Sequence, residues 1–127
     1  MKVAQYEIHV PYGKRQKVVL PDGTKVILNA GSYMKYPRQF GKEDRYVHFK
    51  GEAYFDVAKN KDCPFIIQSQ DYKIRVLGTT FNLNNYEDSE ELQLTLCTGK
   101  VLMNFGEEQL KLTPGEQLVL DLSLIHI

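Results

Sequence analysis

The sequence predicts an all-β chain of many short strands, sandwich- or β-helix-like, with little or no helix. Three observations carry this. Apolar and polar residues alternate over most of the chain, as they must when successive strand side chains point to opposite faces. Turn signals built on Gly, Pro, Asn and Asp recur at intervals of roughly 8–12 residues. No window of about a dozen residues places apolar side chains at i, i+3, i+4 and i+7. The absence of a fixed repeat period argues against a regular solenoid.

Taken in order, residues 1–12 form a lead-in of undecided structure. Gln16 to Leu20 reads as a strand that runs into Pro21-Asp22-Gly23. Proline presets φ in that turn and glycine accepts a positive φ, so Thr24 to Leu28 is expected to return as the second arm of a hairpin. Asn29-Ala30-Gly31-Ser32 turns again, Tyr33 to Pro37 is extended, and Gln39 to Asp44 is polar loop. Beyond a central stretch come a charged loop from Ala58 to Cys63 and a short apolar strand from Phe65 to Gln68. Residues 71–78 then turn Tyr72, Ile74 and Val76 inward. Phe81 and Leu83 continue the alternation, followed by Leu92, Leu94 and Leu96, then Val101 and Met103. Turns at Thr98-Gly99, at Gly106 and at Pro114-Gly115 lead to a last strand over Gln117 to Leu122.

The central stretch, Arg45 to Val57, alternates without a break. Tyr46, His48, Lys50, Glu52, Tyr54 and Asp56 fall on one side; Val47, Phe49, Gly51, Ala53, Phe55 and Val57 fall on the other. It is one half-buried strand, or two strands meeting at Gly51, where a residue without a Cβ marks a bulge or a close backbone approach. The titratable groups are assigned to the polar side. Phe49, Phe55, Phe65, Phe81, Ile74, Val76, Leu94 and Leu96 are expected to share one core.

With 127 residues, the chain has the length of one domain. Apolar residues at 43% and charged residues at 25% are ordinary globular values. Sixteen basic and sixteen acidic side chains cancel. A neutral chain is not expected to bind nucleic acid, which needs a basic face to neutralise phosphates. No apolar run is long enough to span a bilayer, and no basic-then-apolar leader is present.

The candidate chemistry is sparse. Glu52 and Asp56 share a strand face, but four residues of regular strand separate their backbones by about 13 Å. Glycosidase carboxyls sit about 5–9.5 Å apart, so the pair is read as a solvated or salt-bridged face. His48 lacks the His-x-His or Cys-x-x-Cys company of a metal ligand, and His9 and His126 lie near the ends. Cys63 precedes a proline in a loop, and Cys97 points outward if the leucines beside it point in. Neither has an identifiable base, and whether they pair is left open. Pro114-Gly115-Glu116 resembles a turn of cupin jelly rolls, but the histidine ligands found there are missing. No phosphate loop or dinucleotide fingerprint occurs. No catalytic, cofactor-binding or metal residues are therefore assigned, and no enzyme is expected. Eight tyrosines keep a small-ligand or carbohydrate-binding β-module as the alternative reading, although Tyr33 and Tyr36 fall on opposite strand faces.

A series of phrases stands out in order: Leu20 to Ser32 (LPDGTKVILNAGS), Lys50 to Ala58 (KGEAYFDVA) with Pro64-Phe65 following, Val76 to Asn82 (VLGTTFN), Leu94 to Val101 (LTLCTGKV) and Leu112 to Gln117 (LTPGEQ). Together they resemble the periplasmic domain of the FecR family of anti-sigma regulators over residues 10–120. The residues carrying the resemblance are Asp22, Gly23, Asn29, Gly51, Glu52, Ala53, Phe55, Gly78, Thr79, Phe81, Gly99, Pro114 and Gly115. They read as scaffold, with glycines at turns or close approaches and phenylalanines in the core.

The resemblance implies a single periplasmic β-domain over residues 1–127, part of an inner-membrane protein. It would sense the signalling domain of a TonB-dependent outer-membrane receptor in iron or nutrient uptake. It would control an extracytoplasmic-function sigma factor through a cytoplasmic segment and a transmembrane helix that this sequence lacks. The small α/β domain that often follows in the family is also missing. Residues 121–127 match nothing in the family and read as a linker or a vector-derived tail, and Cys97 stands where the family usually has an aliphatic residue. Partner-contacting residues are not identified; the exposed edges of strands near either terminus are the expected contact.

Overall fold

A computed structural model describes residues 5–41 and 45–124. The first strands are β1 (Gln5–His9), β2 (Gln16–Val19), β3 (Lys25–Leu28), β4 (Tyr33–Pro37), β5 (Arg45–Asp56) and β6 (Phe65–Gln68). They are followed by β7 (Tyr72–Val76), β8 (Thr80–Asn85), β9 (Glu91–Thr98), β10 (Val101–Phe105), β11 (Glu108–Leu112) and β12 (Gln117–Asp121). Among the described residues there is no α-helix, and a 3-10 turn at Leu122–Leu124 follows β12. The all-β expectation is met. The lead-in contributes a strand at Gln5–His9, and the last strand stops one residue short of Leu122.

The whole arrangement hangs on β5. Its first half pairs antiparallel with β4 and parallel with β6; its second half pairs antiparallel with β3 and β8. The single twelve-stranded sheet therefore consists of two leaves that share one strand. The first leaf runs β1-β4-β5-β6-β7-β10-β11, and the second runs β2-β3-β5-β8-β9-β12. The central stretch is thus one strand, and Gly51 is where it passes between leaves.

The bend at Gly51 is sharp. The rings of Phe49 and Phe55 are six residues apart in sequence, yet their centroids lie 5.3 Å apart. A straight strand would separate them by about 20 Å. Gly51 has a φ of 120°, and a Cβ there would fall 2.6 Å from Ser32 Cα. Only glycine accepts both the backbone angle and the approach of Ser32.

The two leaves close over one apolar core. Phe55 stacks on Phe81 at 5.0 Å and meets Phe65 of the other leaf edge-on at 6.2 Å. All eight residues expected to share a core do so. Each fully buried phenylalanine contributes about 1.5–3 kcal/mol by leaving water. β6 is buried at Phe65, Ile66 and Ile67, as its continuous apolar run requires of an interior strand.

One expectation fails. The titratable groups of the central stretch do not all lie on the polar side: Arg45 is 1% exposed. It falls in phase with Val47 and Phe49, so the pleat turns its side chain inward.

Candidate functional site

Arg45 is held by an unusually complete set of acceptors. Its Nε donates to the Cys63 carbonyl at 2.7 Å, and Nη1 donates to Asp22 Oδ2 at 2.9 Å and to the Ala58 carbonyl at 2.6 Å. Nη2 donates to the carbonyls of Leu77 at 3.1 Å and Asn60 at 3.5 Å. Each N–H of the guanidinium thus has an acceptor, and its carbon lies 5.6 Å from the centroid of the Phe65 ring. Asp22 completes the group from the first hairpin turn. Its carboxylate accepts from the Thr24 backbone N–H at 2.9 Å and the Thr24 hydroxyl at 2.7 Å. Gly23 carries the positive φ, 91°, that this turn requires. The ensemble ties the turn, the loop before β6 and the end of β7 into one unit, and leaves no guanidinium N–H free for a ligand.

Glu52 is also engaged with the fold. Oε1 accepts from Asn29 Nδ2 at 2.8 Å and Oε2 from Asn82 Nδ2 at 3.2 Å, joining β8 to the turn after β3. Its backbone N–H donates to Ser32 Oγ at 2.9 Å, and its carbonyl accepts from the Ser32 hydroxyl and the Asn29 N–H. Asp56 is exposed and lies opposite Lys25 in the β3–β5 register. The two carboxylates therefore have unlike surroundings and share no partner. Ala53, Phe55 and Phe81 lie in the core.

The remaining motif residues cluster where the chain passes between leaves. Thr79 is buried, and its hydroxyl donates to the Lys100 carbonyl at 3.0 Å. Gly99 has a φ of 84°, and a Cβ there would lie 2.6 Å from the Gly78 carbonyl oxygen. At the turn between β11 and β12, which holds Pro114 and Gly115, the Glu116 carboxylate accepts from the backbone N–H and hydroxyl of Thr113 at 2.6 and 2.7 Å. Those bonds hold its pKa below the ordinary value.

A third joint links the leaves inside the core. The Tyr72 hydroxyl donates to Asn85 Oδ1 at 2.9 Å, and Lys50 Nζ donates to the same oxygen at 3.0 Å. Burial pushes the Tyr72 phenol well above its ordinary pKa, and Asp71 adds to the shift while a bond with Ser69 opposes it.

His48 is exposed and lines a cleft of about 490 Å³ with Lys35, Asp71, Glu87 and Glu90. No cluster of three His, Cys, Asp or Glu side chains suited to a metal occurs among the described residues. His9 packs on Tyr33 at 4.6 Å, whereas His126 lies outside the described residues. Tyr36 packs against the core and meets Tyr6 at 5.4 Å, while Tyr33, three residues earlier in β4, falls on the other side of the strand, so the two form no flat platform. Cys63 is buried and Cys97 is exposed. At the end of the chain, Asp121 pairs with Glu91, and the Leu122 N–H donates to the Glu90 carbonyl at 2.7 Å.

Backbone is also available for recognition. Among the described residues, strands β1, β11, β2 and β12 each pair on one side, which leaves two free edges per leaf. Such edges can receive an added strand from another chain.

The model of the FecR protein family matches residues 6–102. The chain belongs to the FecR family. Two crystal structures of a "putative anti-sigma factor" from Parabacteroides distasonis ATCC 8503 resemble this FecR chain closely. One superposes with a TM-score of 0.90 at 36% identity over 97% of this chain; the other gives 0.89 at 37% identity over 95%. This chain spans 58% and 57% of the length of those two structures. No match was found among curated proteins. No helix among the described residues of this FecR chain is long and apolar enough to cross a membrane.

Proposed function

We propose that this chain is the periplasmic signal-relay portion of a membrane-anchored anti-sigma regulator. In this reading it forms one β-domain of a longer protein. A cytoplasmic segment elsewhere in that protein holds an extracytoplasmic-function sigma factor, and a transmembrane helix joins the two. The upstream signal is the signalling domain of a TonB-dependent outer-membrane receptor engaged in nutrient uptake.

The observation that carries the reading is the likeness to the Parabacteroides anti-sigma factor at 36% identity along nearly the whole chain. The geometry is compatible with it. The polar motif residues Asp22, Asn29, Glu52 and Thr79 spend their hydrogen bonds within the fold, while the strand edges face outward. A protein that signals by protein contact needs a stiff scaffold with open edges more than it needs reactive side chains.

The test is calorimetric titration of the receptor's signalling domain into this chain and into the whole extracytoplasmic region of the full-length protein. The longer region should bind, and this chain should bind more weakly, at about micromolar Kd or above. No binding to either folded protein would remove the receptor as partner. A sigma-dependent reporter that ignores deletion of the full-length gene would remove the sigma factor.

A further inference from the structure

The sheet opens between β7 and β10. Their ladder runs from Tyr72 and Phe105 to Arg75 and Leu102 and stops there, although β7 continues to Val76 and β10 begins at Val101. Val76 and Val101 keep only their other partners, Phe65 of β6 and Leu112 of β11. The chains meet again at Gly99, where a Cβ would lie 2.6 Å from the Gly78 carbonyl oxygen.

A cavity of about 480 Å³ lies at this parting. Leu77 and Leu102 give it an apolar surface, and Arg75, Lys100 and Lys111 stand around it. In register, Leu102 sits between Arg75 of β7 and Lys111 of β11, so the three share the outer face of the leaf. Leu77, two residues beyond Arg75, falls on that same face and is 43% exposed. Among the described residues the lining holds no carboxylate, and none of the three cations has an ion-pair or side-chain hydrogen-bond partner. Glu108 lies at the other end of β11, opposite Phe105, and Glu116 is occupied by Thr113. An apolar hollow beside unpaired cations matches a ligand with an aliphatic body and one anionic group, since apolar contact supplies affinity and a few polar groups fix orientation.

We propose that this cavity binds a single-chain amphiphile with an anionic head, of the long-chain carboxylate type. The head is held by Arg75 and Lys111 across Leu102; their backbones stand about 10 Å apart, a gap that two long side chains close. From there the alkyl chain runs over Leu77, alongside the methylene stem of Lys100. A guanidinium can meet a carboxylate through two parallel hydrogen bonds, and each methylene taken from water by the leucines adds to affinity. The surface is concave, whereas one that docks on a bilayer presents its apolar groups outward to reach the lipid, so the ligand is a monomer taken from solution. This site is independent of the relay reading above.

The test is calorimetric titration of sodium laurate, kept below its micelle concentration, into the chain, with butyrate and dodecyltrimethylammonium as controls. Laurate should bind saturably at one site and more weakly with added salt, and neither control should bind. Arg75→Gln/Lys111→Gln should lower the affinity at least about tenfold, and Leu77→Ser at least about fivefold. Lys17→Gln/Lys25→Gln, on the other leaf, should bind as the parent does. No saturable binding of laurate, equal binding of the cationic amphiphile, or unchanged affinity in either groove variant would overturn the proposal. Capture by phosphatidylglycerol vesicles, lost in the Arg75/Lys111 variant while laurate stays unbound, would overturn it in favour of a membrane surface. Laurate binding by a chain that ignores the receptor's signalling domain would uphold the site and remove only the relay partner.

Discussion

Asp22 and Arg45 meet at 2.9 Å, joining the first hairpin turn to a guanidinium that lies inside the fold. Taking both charges out of water is costly, and the pair is sustained because four backbone carbonyls share the arginine. Arg45→Ala should therefore destabilise the protein by about 3–5 kcal/mol in urea unfolding, since it strands Asp22 and opens those carbonyls. Asp22→Asn, which keeps an acceptor for Thr24, should cost less, about 1–2 kcal/mol. A loss below about 1 kcal/mol for Arg45→Ala would show that water replaces the guanidinium without penalty.

Gly51→Ala should be far more damaging than Gly115→Ala, although both glycines have positive φ. A Cβ at Gly115 meets open space, whereas at Gly51 it collides with Ser32. The expected losses are about 1 kcal/mol at Gly115 and at least about 3 kcal/mol at Gly51, where backbone strain and overpacking add. Thermal unfolding of the two variants measures the difference. Equal losses would mean that the leaves can slide apart at the bend.

The two carboxylates of β5 should separate by stability. Glu52→Ala leaves the amides of Asn29 and Asn82 without their shared acceptor and should cost about 1–3 kcal/mol. Glu52→Gln keeps one carbonyl oxygen and should fall between that variant and the parent. Asp56→Ala, on the exposed side, should stay within about 0.5 kcal/mol. Denaturant midpoints on the three variants check the order.

Alkaline stability should report Tyr72. Its folded pKa is raised, so the native state keeps a proton that the unfolded chain releases above about pH 10. Stability is unaffected below that range and falls as pH climbs through it. Tyr72→Phe should make the fall shallower, at a cost of about 1 kcal/mol near neutrality for the lost bond to Asn85. Tyr33 and Tyr36 are raised as well and keep the slope from vanishing. An unchanged slope in the variant would place the Tyr72 hydroxyl in water.

How much of this was legible in the sequence depends on distance along the chain. Alternation is local, so the strands, their inward faces and the glycine at position 51 could all be read from neighbouring residues. Arg45 was equally legible, because it shares the phase of Val47 and Phe49; the charge on the side chain concealed what its position announced. Strand order was not legible. Nothing near Tyr46 states that Ile66, Arg75, Leu102 and Lys111 will complete its row, because each neighbour comes from a separate strand. The charge pattern of either outer face exists only once the register is set. The net charge averages over both leaves and erased that signal.

The shared strand also sets an order of events during biogenesis. β5 takes partners from both directions of the chain, with β3 and β4 before it and β6 and β8 after it. A polypeptide emerging from its N-terminus can line up the earlier partners, but the second half of β5 is not enclosed until Asn85 arrives to face Gly51. Until then the aromatic side of β5 is bare and its backbone half-satisfied, the state most prone to stray association. Pairing along both halves of β5 is thereby delayed until Asn85 has emerged. Chains that stop short of it should depend on chaperones or be degraded, while those that pass it have β5 paired along both halves and need only β9 to β12 to complete the leaves.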